Sequence, residues 1–150
     1  MPQSFAQIIV HLVFSTKDRR PFICEDVASK LYAYMAGLLN EQACEAILIG
    51  GMEEHVHVLF GLSKNAAPVK IVEELKKSSS KWMKTQGESF ALFQWQRGYG
   101  MFSVSQSNVE AVKEYIARQD EHHTRRSFQD ELRELLERHG MEFSERYLWD

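Results

Sequence analysis

Apolar residues recur along the chain with two periods, two and about 3.6, and the switches between them lay out the elements. "SFAQIIVHLVFS" (residues 4–15) alternates, with Ile8, Val10, Leu12 and Phe14 on one side and Ile9, His11 and Val13 on the other. Its β-branched and aromatic residues suit a strand. Val27, Leu31, Tyr34, Met35, Leu38 and Leu39 then follow helical spacing and predict a helix over residues 25–42. Residues 44–49 predict a second strand, Gly50-Gly51 a turn, and residues 54–62 a third strand that completes a hairpin. Pro68 suits the first turn of a helix whose stripe, Val69, Val72, Leu75 and Trp82, continues to about Thr85. "FQWQRGYGMFSVS" (residues 93–105) predicts a broken or bent strand, with a glycine on each side of Tyr99. Ser107 and Glu110 have the spacing of a capping box and open a helix to about His123. Ser127 caps a last helix that Gly140 stops.

The order β-α-β-β-α-β, then two helices, predicts an α+β, ferredoxin-like (RRM-like) antiparallel sheet with helices on one face. The other face needs a cover, either the two extra helices or a partner subunit. There is no repeat or linker, so one domain is expected over residues 1–150, with a core to about residue 106 and a helix and tail over about 107–150.

Composition narrows the classes. Hydrophobic residues make up 44% and charged residues 26%, the range of an ordinary globular protein. No apolar run reaches the roughly 20 residues that span a bilayer, and the N-terminus has no signal-peptide pattern. Cys24 and Cys44 have neither metal-type spacing nor a disulfide framework, which favours a reducing cytoplasm. The net charge of −3 argues against a basic nucleic-acid coat protein. Yet Lys64, Lys70, Lys76, Lys77, Lys81 and Lys84 face only Glu73 and Glu74 in one stretch, a local basic surface that suits a polyanion.

The third strand carries the first chemical signal. In "EEHVHVLFGL", Val56, Val58, Phe60 and Leu62 point one way and His55, His57 and Leu59 the other. His55 and His57 then stand roughly 7 Å apart along the strand, close enough to share one metal ion. As a bare motif, His-x-His reads first as two half-exposed histidines on a solvated face. A second signal lies in "SNVEAVKEYIARQDEHH", where Val109, Val112 and Ile116 make the apolar stripe of a helix. Tyr115 and Gln119, four apart, share a face at its edge. An amide oxygen can ligate a hard cation, and a phenol beside a cation can act as a nucleophile.

Together these elements resemble the HUH endonucleases, specifically the single-tyrosine transposases of the insertion-sequence-200 type. "HLVFSTKDRRPF", "EEHVHVLFGL", "FQWQRGYGMFSVS", "VKEYIARQDEHH" and "SFQDELRELLERHG" with "RYLW" carry the resemblance over almost the whole chain. It implies cleavage and rejoining of single-stranded DNA, with hairpin ends, at the borders of a mobile element through a 5′-phosphotyrosine link. It also implies Tyr115 as nucleophile, His55, His57 and Gln119 as ligands of Mg2+ or Mn2+, and a homodimer whose active sites are shared between subunits. A cytoplasmic, nucleoid-associated prokaryotic protein without membrane contact follows.

The remaining candidates are weaker. Lys76, Lys77 and Lys81, with Lys17 and Arg19 (and Arg20) as a smaller basic turn, are candidate DNA contacts or solvated charges. Trp82 reads as core rather than as a stacking platform, and Trp95 and Tyr99 as packing aromatics. His11 reads first as a packed or surface histidine that borders the site. His122 and His123 suit a helix C-terminus, and Glu53 and Glu54 adjoin the histidines without a required role. Two other functions compete: a host-adapted relative acting on repeated palindromes, and a non-catalytic single-stranded nucleic-acid-binding module. The second is disfavoured by histidines where stacking aromatics are expected.

Overall fold

A computed structural model of the chain describes residues 3–119 and 126–149. His122 and His123 lie outside the described residues. Four strands, β1 (Ile9–Ser15), β2 (Glu45–Met52), β3 (His55–Gly61) and β4 (Gly100–Val104), form one antiparallel sheet in the order β2-β3-β1-β4. Helices α1 (Glu25–Glu41) and α2 (Pro68–Lys84) link them in the β-α-β-β-α-β order that the periodicity predicts, and α3 (Val109–Ala117), α4 (Phe128–Arg138) and α5 (Glu145–Leu148) follow. This is the ferredoxin-like arrangement.

The alternation of each strand divides the apolar residues between two faces. Val10, Leu12 and Phe14 of β1 join Val56, Val58 and Phe60 of β3 against Leu31, Met35 and Leu39 of α1 and Ile71, Leu75 and Met83 of α2. On the other face Ile9 and Leu59 meet Val109 and Ile116 of α3, while Val13 and Phe102 meet Phe128, Leu132 and Leu136 of α4. The chain's own extra helices therefore cover that face. Burying one such Leu or Phe side chain contributes about 1.5–3 kcal/mol.

Several local expectations change. Gly50 and Gly51 are not a turn but part of β2, and the chain reverses at Glu53-Glu54. The glycines answer a packing demand. A Cβ on Gly50 would stand 2.9 Å from Ile116 Cγ2, and one on Gly51, at φ 153°, would stand 2.2 Å from the His55 carbonyl oxygen. The predicted capping box does not form. A short 3-10 turn (Gln106–Asn108) precedes α3, Asn108 is its N-cap, and Ser107 Oγ bonds Ser105 Oγ at 3.0 Å instead. On α2 the stripe is rotated: Ile71 and Met83 are buried, whereas Val69 is exposed. Ser127 does cap α4, its Oγ accepting from the Asp130 amide at 3.2 Å, and Gly140 ends it at φ 64°. Before β4 the chain is broken, as its glycines suggest, and Trp95 forms an isolated bridge with Thr16, just past the end of β1.

Candidate active site and metal centre

His55 and His57 stand on the face of β3 that α3 and α4 cover, so they are not solvated; neither is measurably exposed. Their Nε2 atoms are 3.2 Å apart. Gln119 brings Oε1 to 2.9 Å from His55 Nε2. Glu131 of α4 brings Oε1 to 2.8 Å from His57 Nε2 and 3.4 Å from His55 Nε2. Four donors thus converge from three separate segments. Their separations suit neighbouring ligands of one ion with bonds of about 2.1 Å, which lie about 3 Å apart in an octahedron. His55, His57 and Glu131 form a group that could hold a metal ion.

The opposite edges of both rings are also engaged. His55 Nδ1–H donates to Glu54 Oε1 at 2.8 Å, and His57 Nδ1 shares a 2.7 Å hydrogen bond with His11 Nε2. Such partners fix ring orientation and leave Nε2 to face the centre. Phe128 stacks on His55 with centroids 4.6 Å apart. His11 reaches His57 because β1 pairs with β3 in the register Val13 opposite His57, which puts the two histidines on a diagonal of one face.

Electrostatics follow from burial and from the carboxylates of Glu131 and Glu54. Burial would push His55 down, but the hydrogen bonds of Glu131 and Glu54 outweigh it and hold the ring up at about 9. His57 is lowered by burial and by the neighbouring His55. His11 is lowered to about 3 by burial and by His57. Glu131 resists its own burial: hydrogen bonds from His55 and His57 hold it well below the usual carboxylate range. The carboxylates thus favour the charged form of His55, and burial favours the neutral forms of His57 and His11.

Tyr115 stands at the rim. Its ring centroid lies 5.8 Å from that of His57 and 6.4 Å from that of His11. Arg126 Nη2 donates to its hydroxyl at 3.2 Å. Burial and Glu131 push the phenol above its ordinary value, and Arg126 opposes them. One chain therefore brings Tyr115, His55, His57 and Gln119 together, and the expected division of the site between two subunits is not needed for their meeting.

Sequence reading missed Glu131 and Arg126 and underrated His11 and Glu54. One signal for Glu131 was present. On α4 it shares a stripe with Phe128, Leu132 and Leu135, a carboxylate on an otherwise apolar face. Such a group needs a buried partner.

The expected DNA contacts are divided. Lys17, Lys76 and Lys77 border one groove, of about 790 Å3, with Lys84, Arg97 and Trp149. Lys76 is turned inward there: its Nζ donates to the carbonyls of Gln96, Arg97 and Gly98 at 2.8, 3.1 and 2.8 Å, and burial lowers it to about 8. Arg19 lies over the Trp149 ring, 5.5 Å from its centroid. Lys81 is on α2 and does not border that groove. Trp95 is buried and its Nε1 donates to Ser79 Oγ at 2.9 Å, whereas Tyr99 is 40% exposed.

No helix among the described residues is long and apolar enough to cross a membrane. The chain is similar to the crystal structure of a candidate transposase from Deinococcus radiodurans R1, with a TM-score of 0.62 and 21% identity, over 79% of this chain and 98% of that one. It is also similar to a REP-associated tyrosine transposase bound to a REP hairpin, with a TM-score of 0.61 and 13% identity, over 82% of this chain and 73% of that one. No curated protein matches the chain in sequence. The family model described as "Transposase IS200 like" matches residues 4–119. That segment holds His55, His57, Tyr115 and Gln119 and stops short of Arg126 and Glu131. The chain belongs to the IS200-like transposase family.

Proposed function

We propose that the chain cuts and rejoins single-stranded DNA at the ends of a mobile element, with Tyr115 as the nucleophile. His55, His57 and Gln119 hold a magnesium or manganese ion in this reading, and Glu131 adds the anionic ligand. The observation that carries it is the meeting of the Tyr115 ring with His57 at the rim of four converging donors. A bound divalent cation supplies polarisation of the phosphoryl oxygen. The residues do the rest. Tyr115 Oη bonds to phosphorus as the phenol gives up its proton, the P–O3′ bond breaks, and the 3′ oxygen leaves as a hydroxyl after taking up a proton. A later 3′-OH reverses the exchange, so one P–O bond replaces another and no external energy is needed. Arg126, beside the phenol, favours the charge that develops there.

The substrate reading rests on charge and on likeness. Lys17, Lys77 and Lys84 around one groove support contacts to phosphates. The structural likeness to a protein bound to a REP hairpin supports hairpin-bearing single strands as the ligand. The same likeness favours a second reading with identical chemistry, a host-adapted relative acting on repeated palindromes. Residues 1–150 then work as one transposase domain in the prokaryotic cytoplasm, at the nucleoid. In a homodimer, each chain's Tyr115 serves its own histidines.

The test is a covalent adduct. Protein, Mn2+ and hairpin-bearing single strands from the flanks of the gene should give a denaturation-resistant complex on the peptide carrying Tyr115. Tyr115→Phe should bind the same strands and form none. An adduct on another residue, or undiminished cleavage by Tyr115→Phe, would overturn the mechanism.

A further inference from the structure

A cavity of about 330 Å3 opens beside Tyr115, between β1, β4, α3 and α4. It borders both Tyr115 and Glu131, so it lies next to the candidate nucleophile and to one donor of the metal centre. The four donors themselves are at most 1% exposed. A phosphodiester that reaches Tyr115 and the centre together has this space as its seat.

The walls have two characters. Phe102 and His139 stack with centroids 4.4 Å apart and planes 26° from parallel, and Val112 and Leu135 extend the apolar surface. Arg126 and Arg138 bring two guanidinium groups to the same cavity, each paired with Glu134. Arg126 also touches the Tyr115 hydroxyl. An apolar aromatic wall, a polar edge and a preset guanidinium beside a nucleophile fit one kind of ligand. A base is flat and stacks on aromatic rings. Its phosphate matches the guanidinium fork. The volume falls in the range of about 300–1,000 Å3 typical of small-molecule sites.

We propose that this cavity seats one unpaired nucleotide of the DNA strand, the one whose 5′ phosphate becomes linked to Tyr115. Its base lies against the Phe102–His139 wall, and its phosphate lies beside Arg126, displacing Glu134 from that guanidinium. The proposal rests on the reading of Tyr115 as nucleophile, and it makes the cavity the place where base identity next to the cut is sensed.

Mononucleotides test it without any cleavage. Isotope-labelled protein in chelator is titrated with the four deoxynucleoside 5′-monophosphates and with the matching nucleosides, and amide shifts are followed. Saturable shifts are expected at Phe102, Ser103, Val104 and Val112, with one base preferred. Ala111 borders the cavity from the exposed side of α3, so Ala111→Trp should fill the space without touching the core and remove those shifts. Arg126→Ala should weaken the monophosphate about tenfold, since a charge-assisted hydrogen bond is lost, and leave the nucleoside unchanged. If no monophosphate perturbs these residues at millimolar concentration, or the shifts survive Ala111→Trp in a folded protein, the seat is wrong. The adduct assay separates the two readings. Ala111→Trp forming the Tyr115 adduct at the wild-type rate overturns the seat and leaves the nucleophile standing. Saturable mononucleotide binding in a protein that gives no adduct overturns the nucleophile and keeps the cavity as a nucleotide site.

Discussion

His57 is held from both ends, by His11 at Nδ1 and by Glu131 at Nε2, and this arrangement has consequences for metal affinity. His11→Phe keeps an aromatic ring in place and removes the nitrogen that orients His57. Losing such an outer partner weakens metal binding by about 10–100-fold. Glu131→Gln removes an anionic donor, the one among the described residues that meets both histidines, and should weaken Mn2+ at least as much, read by calorimetry or by the electron spin signal of free Mn2+. Affinity equal to wild type in both variants would take these residues out of the centre. Tyr115 gives a second prediction. Burial and Glu131 raise the phenol, so at neutral pH almost none is ionised. The single-turnover rate of adduct formation should rise with pH through the alkaline range, and Arg126→Ala should make it slower at each pH. A flat profile would mean that loss of the phenol proton does not limit the step. At this scale the sequence was informative where chemistry repeats locally. His55 and His57 are two apart on a strand, and Tyr115 and Gln119 four apart beyond it. The apolar stripe of α4 marks Glu131 as a carboxylate in need of a buried partner, but no local pattern says which strand α4 will cover, so its place beside the histidines, like that of Arg126, was not legible.

Between elements, the contact of α3 with β2 decides where Tyr115 stands. Gly50 faces Ile116, the residue next to Tyr115, and its missing Cβ lets the helix approach. Gly50→Val would push Ile116 away from the sheet. Overpacking of this kind costs about 1–3 kcal/mol, which a 150-residue fold can survive. Tyr115 would be displaced with the helix, and small misplacements of a reacting group cost rate steeply, on the order of a hundredfold per ångström. Gly50→Val should therefore lose far more adduct rate than thermal stability, measured side by side, while Mn2+ binding by the histidines persists. Equal fractional losses of all three would point to general unfolding. This contact also explains a misreading. A Gly-Gly pair after an apolar run has the composition of a turn. Only the folded neighbours show what the pair is for: α3 packs on Gly50, and the β3 backbone crowds Gly51. The short connection between β4 and α3 was misread for a similar reason, since Ser107 has the right spacing for a cap but bonds Ser105 instead.

For the whole molecule, the topology carries the argument. Strand periodicity and helix stripes were enough to give the sheet and the two linking helices, because each is written in local alternation. What covers the second face was open between the chain's own helices and a partner. The structure answers with α3 and α4 of the same chain: Val109 and Ile116 bury Ile9 and Leu59, and Phe128 and Leu132 bury Val13 and Phe102. A mixing experiment asks whether the working protein uses that arrangement. One chain carries Tyr115→Phe and the other His57→Ala, each folded, each without adduct alone. If α3 serves its own sheet, mixing restores nothing, since every Tyr115 faces a damaged centre and every intact centre faces a phenylalanine. If two chains exchange the segment after β4, heterodimers regain one intact site and up to half of the mixed dimers' activity capacity returns. The contacts within the chain favour the first outcome. Exchange would have to open the α3 and α4 packing and rebuild it on a second copy, with the Gly50–Ile116 approach and the Glu131 contacts reproduced there. Subunit exchange is verified by differently tagged chains. Recovery in that mixture would overturn the single-chain site while leaving the four donors and Tyr115 as its parts.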